Sequence, residues 1–175
     1  LNDYGNYKLT GNGDPAGDGG PTPSAPSPNT RAVFGYYNGT RMADVRDGTS
    51  STIALAEYLT GIDSNDFRGG FWTNRAGCQF LYVTQGPNSG APDNLLTWNE
   101  SFCPPDNRYN KPALNLPCVG GNTDGNFASP RSRHAGGVNV VLCDGSVHFI
   151  ADDIDLTTWQ HLGWMNDNQP ITVSF

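Results

Sequence analysis

The sequence predicts one β-rich α+β domain spanning residues 1–175: an antiparallel sheet ending in an Asp-Gly hairpin, one short C-terminal helix, and long loops. Three observations predict it. The 175 residues suffice for a single domain with a real core. The 22 glycines and 13 prolines, many of them early in the chain, favour irregular loops around a small core. Finally, "VNVVLCDGSVHFI" sets Asp144-Gly145 between two apolar runs, the strongest short-range hairpin signal.

Taken in order, "GNGDPAGDGGPTPSAPSPNT" (11–30) reads as a low-complexity loop. Asp14 and Asp18 lie in it, but no glutamate closes a calcium-loop frame, so solvated carboxylates are the expectation. "RAVFGYY" (31–37) reads as a short strand and "ADVRDGTSS" as a turn, in which Asp47-Gly48 and the following hydroxyls bond nearby backbone. "TIALAEYLT" (52–60) alternates as a strand, which places Glu57 on one face with Ile53, Leu55 and Leu59. A carboxylate among aliphatic side chains needs a partner, and an arginine or His134 is expected. Strands are expected around Phe71–Thr73 and Cys78–Thr84, then a long loop region over 85–130.

The hairpin follows. A type I′ turn at Asp144-Gly145 sets Leu142 opposite Val147 and Val140 opposite Phe149. These residues and Val138 form an apolar face. Asn139, Val141, Cys143, Ser146, His148 and Ile150 take the other. Asp155 then reads as an N-cap, with Leu156, Trp159 and Leu162 at helical spacing and Gly163 as the stop; "ITVSF" reads as a last strand.

Composition narrows function. The net charge is −7, and Lys8 and Lys111 are the two lysines, so no basic surface for nucleic acid or anionic lipid is expected. No apolar run approaches a membrane span. The chain opens on a polar segment and is read as a trimmed product or part of a longer protein. The four cysteines lack zinc or redox spacing. Cys103 and Cys118 bracket a proline-rich loop, and a bridge between them is expected to add about 3 kcal/mol. Sequons at Asn38 and Asn99, with the low lysine content and the prolines, lean towards an extracytoplasmic address.

His134 precedes Asp144 by ten positions. A strand between them separates the two by roughly 20 Å, too far for one metal shell, so a bracing role is expected for both. No G-x-S-x-G elbow supports a serine hydrolase, and His148 and His161 read as strand and helix-face residues. Trp72, Trp98, Tyr82 and Tyr109 fall near loops, where aromatic rings can stack on sugars or anchor an interface. Trp159 is expected in the core.

"DVRDGTSSTIALAE", then "SRHAGGVNVVLCDGSVHFI" and "IDLTTWQHLG", resemble the pseudopilin-like bacterial proteins with a C-terminal His-x9-Asp-Gly motif, abundant in planctomycetes. His134, Asp144 and Gly145 match that motif, and Asp47, Gly48 and Glu57 match its upstream companion. The resemblance covers about Tyr36 to Trp164. It implies a pilin-like globular domain that normally follows a prepilin-type helix, hence export, membrane contact through that helix alone, and assembly. The expected function is therefore a non-catalytic extracytoplasmic structural or accessory subunit. It would contact copies of itself or other envelope or pilus-like subunits, with no cofactor, metal or catalytic residue. A carbohydrate-binding module using Trp98, or a metal-dependent or serine hydrolase, are the alternatives.

Overall fold

A computed structural model describes residues 32–34, 40–71, 75–97, 102–121, 126–169 and 171. Its fold is α+β and β-rich. The strands are β1 (Ile53–Ala56), β2 (Asp93–Leu96), β3 (Cys118–Gly121), β4 (Gly137–Leu142) and β5 (Val147–Ala151); the helix α1 is Leu156–Gly163. Strands β1, β4 and β5 form an antiparallel sheet with β4 central, and β2 and β3 pair in parallel.

The Asp144-Gly145 hairpin forms, but not in the expected register. Val141 faces Val147 and Val140 faces His148. The Gly145 amide donates to the Leu142 carbonyl at 3.0 Å, and the Leu142 amide to the Ser146 carbonyl at 2.9 Å. Gly145 alone in the turn has positive φ, +88°. The loop is therefore three residues long, a type I turn followed by a left-handed glycine, and not the type I′ turn expected. One extra loop residue slips the pairing by one and inverts every side chain of β5. Ile150 joins Val138, Val140 and Leu142 in the core, whereas Val147 and Phe149 are 64% and 47% exposed.

A second inversion occurs in β1. Ile53 pairs with Leu142, yet Leu55 pairs with Val141 and Ala56 with Val140, so the register shifts between Ile53 and Leu55. This bulge leaves Ile53 in the core and turns Leu55, 56% exposed, outwards. Glu57 therefore parts from the face of Ile53 and shares the outer face with the exposed Leu55.

The core gathers the sheet's inner face, the irregular segment Leu81–Val83, and Trp159 and Leu162 of α1. Asp155 caps α1 by accepting from the Thr158 amide at 2.9 Å. Gly163 closes the helix within it, where a Cβ would come 2.6 Å from a Val83 methyl, so close packing explains this glycine. Trp159 is buried and donates from Nε1 to the Gln85 carbonyl at 2.9 Å.

Other expectations change. Cys78–Thr84 is not a strand; its residues lie in turns, bends and single bridges, with Tyr82 held by a bond from its amide to the Ala128 carbonyl. The region 85–130 contains β2 and β3, which sequence reading treats as loop. Ala32–Phe34 are not strand, and the rest of 31–37 lies outside the described residues, as do the 11–30 loop, residues 72–73 and most of "ITVSF".

Candidate functional site

The signature residues separate into three clusters, each tying remote segments together. Glu57 follows β1, where its amide continues the ladder to the Asn139 carbonyl at 3.1 Å. One of its carboxylate oxygens accepts from the Asn139 amide at 2.8 Å, and the other from the Asn139 side chain at 3.0 Å. His134 Nε2 lies 3.1 Å from that second oxygen. The His134 ring also meets Phe149 edge to face at 6.3 Å. Burial pushes the Glu57 carboxyl upwards, but the two Asn139 bonds and His134 outweigh it and hold it below its ordinary value.

Asp144 belongs to the hairpin turn. Its Oδ1 accepts from the Ser146 amide at 2.9 Å and the Ser146 hydroxyl at 2.6 Å, and these bonds hold its carboxyl low. The turn docks on the Asp47 region: the Asp144 amide donates to the Thr49 carbonyl at 3.0 Å and the Cys143 amide to the Thr52 carbonyl at 2.9 Å. Gly48, at φ +102°, makes that tight bend possible, and its carbonyl accepts the Thr52 hydroxyl at 3.0 Å.

Asp47 forms the third cluster. It is buried, and its two oxygens accept from the amides of Asp167 at 2.7 Å and Asn168 at 2.9 Å. Burial is the main cause of its raised carboxyl pKa; the two amide bonds oppose that rise, and nearby Asp167 adds to it. Asp167 also bonds His161, whose ring meets Trp164 edge to face.

His134 and Asp144 thus sit at opposite ends of β4 with different partners. Among the described residues no group of three or more His, Cys, Asp or Glu side chains is placed to hold a metal ion. Ser146 lies between Asp144 and His148, whose Nε2 is 2.9 Å from its hydroxyl. That order differs from a nucleophile triad, in which the imidazole stands between serine and carboxylate. The Ser146 hydroxyl donates to the Asp144 carboxylate, so its bond runs to the acid and not to the imidazole.

Two buried ion pairs escaped sequence reading. Arg131 makes a bidentate pair with Asp93, both bonds 2.9 Å, and donates to the carbonyls of Ser89 and Ala91 at 2.6 and 3.1 Å. Asp93 also accepts from the Tyr58 hydroxyl at 2.8 Å and the Ser129 amide at 3.1 Å. Arg68 pairs with Asp66 at 2.8 and 2.6 Å and donates to the carbonyls of Leu116 and Tyr109 at 3.0 and 2.7 Å. Asp66 and Arg68 are only two positions apart, but no local pattern announces the Arg131–Asp93 pair or the carbonyls that Arg68 reaches.

Cys103 and Cys118 form a disulfide with Cα atoms 6.1 Å apart, which fits an oxidising compartment. Cys78 and Cys143 are free; burial pushes the Cys78 thiol up to about 12. Tyr82 and Tyr109 are buried, so they are not surface rings for a ligand. Trp72, Trp98, Asn38 and Asn99 lie outside the described residues. No described helix is long and apolar enough to cross a membrane.

A family model described as "Protein of unknown function (DUF1559)" matches residues 2–157. No curated protein and no solved structure matches the chain.

Proposed function

We propose that this chain, which belongs to the DUF1559 family of proteins of unknown function, is a non-catalytic extracytoplasmic structural or accessory subunit of pseudopilin-like type. It acts through protein contacts in a surface filament, secretion apparatus or envelope complex.

The observation that carries this reading is the use made of the signature carboxylates. Asp47, Glu57 and Asp144 each accept from backbone amides, and two of them reach segments far along the chain. Such groups fix geometry: a buried or half-buried carboxylate bonded to main-chain N–H pins loops at fixed distances from the sheet. A general base needs a lone pair facing substrate, and Glu57 has both oxygens engaged by Asn139. The disulfide supports the oxidising address, and the apolar side chains on the sheet's outer face support a role in contacts.

The test is native mass spectrometry of the full-length protein extracted from its own cell envelope. The expected result is a species heavier than the monomer, with the chain in stable stoichiometry with itself or another subunit. A monomer throughout, across dilution and mild detergents, overturns the reading.

A further inference from the structure

We infer that the outer edge of β5 is a homotypic docking strand: two copies of this chain join antiparallel through Val147–Ala151 and extend the three-stranded sheet into one continuous sheet. The inference deepens the subunit reading above and rests on it.

The alternation of hydrogen bonds across the hairpin identifies the free groups. The Leu142 amide bonds the Ser146 carbonyl, and the Asp152 amide bonds the Gly136 carbonyl. In an antiparallel pair such bonded positions alternate with unbonded ones. His148 and Ile150 therefore turn their main-chain groups towards β4, whereas Val147, Phe149 and Ala151 turn theirs away. The same alternation sends the Asn139 carbonyl towards β1, where it accepts from Glu57. Among the described residues, only the Ala151 carbonyl on this edge has a main-chain partner, the Ile154 amide at 3.2 Å. The outer edge thus presents a row of main-chain donors and acceptors, flanked by exposed Val147 and Phe149.

An edge that no described residue blocks is unusual. Natural sheets blunt edges with lysine, proline, bulges or covering segments. The opposite edge follows that rule, because β1 carries its bulge and the Glu57 carbonyl beyond it accepts from the Arg131 amide. Strand β5 has no bulge, proline, lysine or acid within it.

A second copy fits the edge because the strand complements itself. Centred on Phe149, an antiparallel pairing opposes Phe149 to Phe149 and Val147 to Ala151, and the outward groups of each strand meet those of the other. The paired segment Val147–Ala151 holds no acid; Asp144, Asp152 and Asp153 lie in the turns at its two ends. No carboxylate opposes another, which matters for a chain with net charge −7. The two Phe149 rings lie side by side on the outer face.

Site-specific cross-linking of the full chain in a Cys143→Ser background tests this. Opposed residues in a bonded antiparallel pair have Cα atoms about 5.5 Å apart, within disulfide reach. Phe149→Cys is expected to give a covalent dimer on mild oxidation, whereas Leu55→Cys, exposed on the same face but on β1, is not. Phe149→Lys sets two ammonium groups opposite each other and is expected to weaken dimerisation at least about tenfold. Phe149→Tyr is expected to keep it. If the unmodified protein assembles but Phe149→Cys does not cross-link and Phe149→Lys leaves assembly intact, the edge inference falls and the subunit reading stands. If the unmodified protein is monomeric under every condition, both fall. A β5 edge that captures an unrelated extended peptide, and not a second copy, also overturns the inference.

Discussion

At the scale of single residues, Glu57 shows how a carboxylate can serve as structure. Its lowered pKa means that the folded state holds fewer protons than the unfolded chain around the ordinary glutamate value of 4.5. Stability from this group is therefore fully present above that value and lost as pH falls through the lowered one. Glu57→Gln removes one acceptor and turns an amide towards the donors of Asn139. It is expected to cost about 1–3 kcal/mol near neutral pH. The gap from the unaltered protein should shrink as pH falls below the ordinary value of 4.5 and through the lowered one, because there the glutamate itself becomes protonated. Urea denaturation of both proteins at neutral, mildly acidic and strongly acidic pH checks this. A gap independent of pH would show that the bond geometry, and not the charge, does the stabilising. Asp47 works in the opposite sense: its raised carboxyl pKa makes ionisation cost stability as pH rises above the ordinary aspartate value of 3.8. Comparing Glu57→Gln with its own parent at each pH keeps that opposing contribution out of the difference.

At the scale of elements, the hairpin and the helix were legible because their signals are local. Asp-Gly between apolar runs, and Asp155 ahead of Trp159 and Leu162, name an element whatever surrounds it. What local pattern does not name is register. A two-residue and a three-residue loop accept the same Asp-Gly pair, yet they place Phe149 on opposite faces. The bulge in β1 has the same effect on Leu55 and Glu57, and its cause is tertiary: Cys143 and Asp144 bond the Thr49–Thr52 bend beside it. The turn type makes a sharp prediction. In a type I′ turn, glycine at position 144 would relieve a positive φ and stabilise. Here Asp144 does not have positive φ and its carboxylate bonds Ser146. Asp144→Gly is therefore expected to destabilise, from the lost bonds and the added freedom of the unfolded chain. Gly145→Ala costs about 1 kcal/mol through φ alone, since a Cβ there meets nothing within 4 Å. Thermal denaturation of the two variants decides the turn type by the sign of the first.

At the scale of the whole molecule, the long loop region holds together through contacts no local pattern announces. The Asp93–Arg131 pair joins residues 38 positions apart, and Arg68 reaches 48 positions to the Leu116 carbonyl. Their fully buried side chains make each a fixed joint between the parallel β2–β3 ribbon and the body of the fold. The disulfide closes the same region, so two devices hold one loop. They act on different states. Arg68 holds the loop in the folded protein through the Tyr109 and Leu116 carbonyls, whereas the Cys103–Cys118 bridge chiefly restricts the unfolded chain. Removing the bridge by Cys103→Ser with Cys118→Ser should therefore leave the native circular-dichroism spectrum unchanged while lowering stability by about 3 kcal/mol, the chain-entropy value for a loop of this length. The denaturant slope should rise, because an unbridged unfolded chain exposes more surface. Removing Arg68 instead leaves Asp66 as a buried, unpaired carboxylate, an effect on the folded state. Arg68→Met should cost about 3–5 kcal/mol with little change in slope. If the bridge's removal alters the native spectrum and leaves the slope unchanged, the two roles are reversed, and the covalent link shapes the folded loop.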